Sequence, residues 1–513
     1  METELKLLID PRHANALRKH PLLKKYALAA PQELHMSDTY FDTPDLGIWR
    51  QHAGLRVRHV DGGWVQTLKG GGGAAGGLHR RHEWESAVAG PAPDFAMLKK
   101  LVDGHKPWAK LLRSTAAGQA VQAIFTTQVT RTIWNLRLAT GDEVEFALDQ
   151  GKLQGDSGQE PVSEIELELK SGQPEQLFAF ALQLQRKIPL RIANLSKAQR
   201  GYALHSQQAA APAAVKAEKL ELSRHMNTEQ AFCAILANCV GQMQANEGCV
   251  IGSHDMESLH QLRVGLRRLR SALGLYQELI SVPLQTQEDL AWLATQLGPA
   301  RDWDVLAHTT LAAVADGAAE DIPLAPLNAA ALERVAKEHD IAAAAVKSPR
   351  YARLMLSLSA RAHGVAWSGF GQEAEQGLGK PAAKFAAKTV ARAGNRLHKR
   401  GKHLHQADAQ ARHRLRIAAK KLRYATEFFQ SLFPSKQVQQ YVKALTGLQD
   451  GLGQLNDAAI ATGLLKQLQQ ADAGLGMGVS FVRGYLAARA ERAKDSLEKR
   501  WQELEAMQAP GRT

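Results

Sequence analysis

Glu2-Thr3-Glu4-Leu5-Lys6-Leu7 and, far along the chain, Glu164-Ile165-Glu166-Leu167-Glu168-Leu169-Lys170 alternate charged and apolar residues. Successive side chains of a β-strand point to opposite faces. Read as strands, the first stretch puts Glu2, Glu4 and Lys6 on one face and Thr3, Leu5 and Leu7 on the other. The second sets Glu164, Glu166, Glu168 and Lys170 against Ile165, Leu167 and Leu169. A single strand of this kind is an ordinary half-buried strand. Two of them, each with carboxylates and an ammonium on one face, need a fold that either wets both charged faces or gathers them together.

The residues between them alternate too: Leu55-Arg56-Val57-Arg58, Trp64 to Lys69, Leu78 to Glu85, Thr130 to Leu138 and Glu143 to Phe146 read as antiparallel strands. Alternation leaves open a sandwich with its charges in water, which composition favours, and a closed barrel with its charges inside. Gly70 to Gly77 reads as a flexible hairpin connection. Its Gly71-x-Gly73-x-x-Gly76 spacing matches a dinucleotide fingerprint only formally, because Leu78 to Glu85 continues as a strand where a helix is required. There is no P-loop, Gly-x-Ser-x-Gly elbow or His-Glu-x-x-His. A tube lined by both signs of charge suits a triphosphate, with about four negative charges for Arg and Lys to neutralise and carboxylates to hold Mg²⁺ or Mn²⁺.

Glu2-Thr3-Glu4-Leu5-Lys6 resembles the ExExK signature of the CYTH superfamily, the triphosphate tunnel metalloenzymes. Thr39-Tyr40-Phe41-Asp42-Thr43-Pro44, Leu55 to Arg58, Thr67 to Gly70, Arg81 to Glu85, Glu164 to Glu168 and Leu195-Ser196-Lys197 follow in the family's order, over roughly residues 1 to 202. The resemblance implies an eight-stranded antiparallel barrel open as a tunnel, and hydrolysis of inorganic triphosphate to diphosphate and phosphate. By the same resemblance Glu2, Glu4, Glu164 and Glu166 would bind metal, Lys6 and Lys69 would be catalytic, and Arg56, Arg58, Arg81, Arg131 and Lys197 would bind substrate. Glu83 and Glu145 would pair with cations on the tunnel side, and Asp42 reads as a turn residue before Pro44. A thiamine-triphosphatase or a class IV adenylate cyclase on the same barrel, or a non-catalytic polyphosphate scaffold, are the competing readings. Glu4→Gln and Glu166→Gln are expected to spare the fold, since neither deletes apolar packing.

After Tyr202 the strand pattern stops. Residues 1–205 read as the barrel domain, 206–219 as a linker and 220–513 as a helical domain, together a multidomain α+β chain. The helical part contains a repeat: His260-Gln-Leu-Arg263 through Arg270 matches His413-Arg-Leu-Arg416 through Arg423, and Leu297 to Asp302 matches Leu452 to Asp457 at nearly the same separation. At about 100° per residue, His260, Arg263, Arg267 and Arg270 share one face, as do His413, Arg416, Lys420 and Arg423. Like charges one turn apart repel, so keeping such a row twice points to a fixed polyanion. These residues, with His254 and Lys421, resemble CHAD domains, which are two similar helical bundles associated with inorganic polyphosphate. The His residues would add charge below about pH 6.5.

The chain is 513 residues long with 64 Lys+Arg against 51 Asp+Glu, a formal charge of +13 that favours polyanions. No helix-turn-helix or aromatic-interleaved RNA motif supports nucleic acid as the partner. Cys233, Cys239 and Cys249 lack zinc or disulfide spacing. With no apolar run long enough for a spanning helix and a charged first strand, no membrane partner and a cytoplasmic location are expected.

Overall fold

The computed structural model describes residues 1–102, 104–118, 121–205, 213–319, 322–367 and 371–510. They divide into two compact units, residues 1–213 with 352–365, and residues 214–351 with 366–513. The first part of the expected linker, residues 206–212, lies outside the described residues.

In the first unit, nine strands form one antiparallel sheet: β1 (Glu2–Ile9), β2 (Gln32–Asp42), β3 (Ala53–Val60), β4 (Gly63–Ala75), β5 (Leu78–Val88), β6 (Gln122–Arg137), β7 (Glu143–Gly155), β8 (Gly158–Ser171) and β9 (Leu190–Ile192). Their order is β5-β4-β3-β2-β6-β7-β8-β1, and β5 pairs back onto β1, so eight strands close a barrel while short β9 flanks β1. The register puts Lys6 opposite Glu166, Glu145 opposite Glu168, Arg131 opposite Asp149 and Lys69 opposite Glu83. These charges point inward.

The apolar face explains why a barrel forms and not a sandwich. Leu5, Leu7, Phe146, Ile165 and Leu167 are fully buried outside the strands, beneath Leu177, Phe178, Phe180 and Leu184 of the helix Pro174–Gln185. Leu356 and Ala360 join the same cluster. A sandwich would press two apolar faces together; here helices cover the apolar exterior, leaving the charged face for the interior. The glycine run also differs from the expected flexible connection, since β4 continues to Ala75 with a bulge between Gly70 and Gly73. Gly72 has φ +70°, and a Cβ there would lie 1.8 Å from the Arg80 carbonyl oxygen. Only glycine fits.

The second unit is helical. Thr228–Ala245, Met256–Leu275, Leu284–Asp304 and Leu324–Lys347 form one group, and Ala382–Gly401, Ala409–Phe428, Ser435–Ala471 and Gly476–Glu505 the other. The repeat extends to the caps: Asp255 accepts a hydrogen bond from the Ser258 amide, and Asp408 from the Ala411 amide, at the separation that relates His260 to His413. The two basic helices pack against each other. No helix of the described residues is long and apolar enough to cross a membrane.

Candidate active-site tunnel and cationic groove

The barrel encloses a cavity of about 380 Å³. Among the described residues its wall carries eight cations, Lys6, Arg56, Arg58, Lys69, Arg81, Arg131, Lys170 and Lys197, and seven carboxylates, Glu2, Glu4, Glu83, Glu85, Glu145, Glu166 and Glu168. Asp38, Asp149 and Glu164 stand just behind and pair with the same cations. Arg200, also behind the wall, pairs with Glu164 at 3.1 Å, so counted together ten carboxylates face nine cations.

The deepest group is a carboxylate triad. Asp149, Glu164 and Glu166 each offer an oxygen within 4.8 Å of the others, and all three are buried. Lys197 reaches Asp149 at 2.6 Å and Glu166 at 3.0 Å and also bonds Glu164, while Arg131 bonds both Asp149 and Glu166. Lys6 bridges Glu166 to Glu4, 3.0 Å away. Burial disfavours these charges, yet Lys197, Lys6 and Arg131 outweigh it and hold the Glu166 carboxyl well below the ordinary carboxylate range. Lys6 is raised because Glu166 and Glu4 overcome its own burial.

Toward β4 and β5, Lys69 joins Glu2 at 2.8 Å and Glu83 at 2.9 Å. Burial and the neighbouring Glu2 push the Glu83 carboxyl up to about 7 against the pull of Lys69, so this pair shares part of a proton near neutral pH. Arg58 makes a two-point bond to Asp38 at 2.7 and 3.0 Å, and Arg56 lies 3.5 Å from the same group. Arg58 and then Arg56 hold Asp38 at about 2 despite its burial. Lys170 pairs with Glu145 and Glu168. Arg81 differs from the rest: among the described residues its guanidinium meets only the neutral Ser196 hydroxyl at 3.4 Å and the Gln199 side chain at 3.5 Å.

In the second unit the repeat brings its cations together. Arg263 lies 4.0 Å from Asp302 and, at the corresponding place in the other copy, Arg416 lies 3.7 Å from Asp457. Burial, then Arg416 and Arg267, depress the Lys420 ammonium to about 7. Arg263 falls to about 10 through burial and its neighbours Arg267 and Arg301, with Asp302 opposing. Arg267 also weighs on Arg416. Four cations from two helices thus share one field that the surrounding carboxylates do not cancel.

Family models match both halves, a CYTH domain over residues 1–202 and a CHAD domain over residues 234–466. The chain is a CYTH–CHAD protein. A crystal structure of the CHAD domain from the plant Ricinus communis is 40% identical with a TM-score of 0.53, covering 58% of this chain and 98% of that one. An inorganic triphosphatase of Haemophilus influenzae is 36% identical over 208 residues, 40% of this chain and 56% of the relative. This CYTH–CHAD chain therefore spans little more than half of that curated relative's length.

Of the residues expected in the CYTH tunnel, Lys6, Arg56, Arg58, Lys69, Arg81, Arg131, Lys197, Glu2, Glu4 and Glu166 line it, and Glu164 backs it through Lys197. The expected metal set is not gathered in one place: Glu164 and Glu166 meet Asp149, whereas Glu2 sits with Lys69 and Glu83. Glu83 and Glu145 pair with cations, as the CYTH resemblance implied. Asp42 does more than turn the chain. Fully buried, it accepts from the amides of Thr43, Ile48 and Trp49 and from the Tyr202 hydroxyl, at 2.7 to 2.9 Å. It thereby ties the loop after β2 to the helix Lys197–His205 that carries Lys197.

In the CHAD domain His254, Arg270 and Lys421 stand apart from the central four, while Arg423 lies at their edge, its charge still acting on Lys420. His254 lies before its helix beside Asp340, Arg423 pairs with Glu427, and Lys421 faces Arg270, Arg396 and Arg400. The expected titration of the leading histidines fails for His260, which burial and then Arg301 and Arg267 push down to about 4. It stays neutral through the pH range where an ordinary histidine would charge.

Proposed function

We propose that the tunnel hydrolyses inorganic triphosphate to diphosphate and phosphate with Mg²⁺ or Mn²⁺, and that the CHAD domain binds inorganic polyphosphate. The observation that carries the first reading is the convergence of Lys6, Lys197 and Arg131 on Asp149, Glu164 and Glu166 inside a closed barrel. Three carboxylates so close together are a hard-oxygen donor set suited to either ion. Asp149, Glu164 and Glu166 would hold it, with Glu4 reached through Lys6 and Glu2 further along the tunnel. A divalent ion bound there would neutralise phosphate oxygens and polarise the phosphorus toward water.

The chain's own residues supply the remaining work. With nearly all of these cations already paired to carboxylates, the tunnel alone is a poor host for about four added negative charges, so triphosphate binding is expected to depend on divalent ions. Arg56 and Arg58, held rigid by Asp38, would orient the chain of phosphates; Lys6 and Lys69 would stabilise charge that develops on the transferred or departing phosphate. Apart from Tyr40, Trp49 and three alanines the lining is polar or charged, which supports the inorganic substrate over a thiamine or adenosine triphosphate. Phosphorus NMR of the products tests the reaction: equal phosphate and diphosphate are expected, and release of nothing, or of a cyclic nucleotide from ATP, would replace this reading.

Arg81, with no carboxylate partner among the described residues, is positioned to meet the incoming anion. Arg81→Gln is expected to raise KM for triphosphate about tenfold, with a smaller change in kcat and little change in melting temperature. A fall confined to kcat would put Arg81 at the reacting phosphate instead.

For polyphosphate, the supporting observation is the depressed Lys420 among Arg267, Arg416 and Arg423. A polyanion laid against it would restore its affinity for a proton. Binding near neutral pH is therefore expected to take up as much as about one proton per site, and affinity to rise as pH falls through about 7. Calorimetry in buffers of different ionisation enthalpy reads this directly. Heats independent of the buffer would remove Lys420 from the binding set.

A further inference from the structure

The helix Ala382–Gly401 carries a row of cations that neither the tunnel nor the four-cation groove uses. Lys384, Lys388, Arg392, Arg396 and Arg400 follow at four-residue steps, with Lys380 just before the helix. Neighbours one turn apart repel, so such a row weakens an isolated helix. Among the described residues only Arg392 has a carboxylate partner, Glu278. All of these cations but Arg400 line a cleft of about 400 Å³ within the second unit.

The floor of this cleft is apolar, formed by Leu275, Leu279 and Phe385. Phe385 is braced from behind by Tyr276, with ring centroids 4.5 Å apart. The place of Leu279 depends on Gly377, where a Cβ would lie 2.4 Å from a Leu279 methyl carbon. On the opposite wall Lys421 is depressed by burial and then by Arg396, Arg400 and Arg270, so the positive field is not cancelled locally. Arg263, Arg267, Arg416 and Lys420 do not line it.

Inorganic polyphosphate would satisfy the rim and leave the floor wet. A ligand matching both needs at least two negative charges and a flat or apolar body of small-molecule size, and the volume lies in the range of such sites. We propose that this cleft binds an organic phosphate, a nucleoside diphosphate being the form that best fits: its ring against Phe385 and Leu279, its phosphates between Lys384, Lys388 and Arg396. The inference is independent of the tunnel's chemistry.

Titration calorimetry on the full chain in EDTA, with ADP, GDP, inorganic diphosphate and adenosine as probes, tests it. ADP or GDP is expected to bind with Kd of about 100 μM or tighter, and at least about tenfold tighter than inorganic diphosphate or adenosine. The exposed double variant Lys388→Gln/Arg396→Gln should weaken nucleotide binding about tenfold or more and leave triphosphate hydrolysis unchanged. Phe385→Ala should abolish the advantage of nucleotide over inorganic diphosphate while keeping affinity for the latter. Nucleotide binding no tighter than inorganic diphosphate, or undiminished in the double variant, would overturn the assignment. Absence of binding at about 1 mM would do the same.

Discussion

Glu166→Gln is expected to lower triphosphate turnover by at least about 100-fold at saturating Mg²⁺, the scale on which a single preorganised charge acts in a buried site. Glu166 bonds Lys6, Arg131 and Lys197 at once, so the substitution disturbs the carboxylate triad and three cations together. The geometry also revises the expectation that this variant folds as the wild type does. Removing one partner of a buried ionic network leaves charge uncompensated, and a loss of about 3 kcal/mol is expected. Glu4→Gln, whose carboxylate contacts only Lys6 in this network, should lose activity with a smaller loss of stability. Turnover should therefore be measured at a temperature where circular dichroism shows Glu166→Gln folded. A folded Glu166→Gln protein with wild-type turnover at limiting Mg²⁺ would remove the triad from the metal site.

The second large effect lies in the CHAD domain. Neutralising Arg263, Arg267, Arg416 and Lys420 together to Gln is expected to abolish polyphosphate binding at physiological salt and leave triphosphate hydrolysis in place. In the wild type, log affinity should fall steeply with log salt, with a slope of about −3 if four contacts release counterions as on nucleic acids. Stability should move the other way. Arg263, Arg416 and Lys420 are all held below their ordinary pKa, which means that the folded state disfavours their charge. Removing those charges should leave the melting temperature equal or higher. Loss of binding with gain of stability is the signature of a row kept for a ligand. Undiminished binding would reduce these residues to solvated surface.

Much of this was legible in the residues because period two is a strong signal. Once Glu2, Glu4 and Lys6 are placed on one face, Glu164, Glu166 and Lys170 follow by the same rule, and the register that joins β1 to β8 sets Lys6 opposite Glu166. Inside against outside was not legible, because alternation is identical for a charged face turned to water and one turned inward; the covering helices decide it. Alternation does not mark Asp149, although Glu145, Ala147 and Asp149 continue one face of β7. The interruption at Ala147 breaks the charge pattern, and only the register with Glu164 reveals the triad. Asp38 was hidden for a similar reason, between Ser37 and Thr39 on a strand with little apolar contrast. In the helical half the duplicated cations were readable by their spacing. Their pKa values were not, because burial and repulsion between packed helices arise only in the fold: burial with Arg301 and Arg267 of its own copy keeps His260 neutral, and burial with Arg416 and Arg267 from the two copies depresses Lys420.

Phosphate release from inorganic triphosphate by this chain, with Mg²⁺, with Mn²⁺ and with EDTA, beside thiamine triphosphate and ATP, bears most directly on the tunnel. Rapid release from inorganic triphosphate with either ion is expected, with loss of release in EDTA and much lower kcat/KM for the two organic triphosphates. Equal rates in EDTA, or a preference for an organic triphosphate, would contradict it.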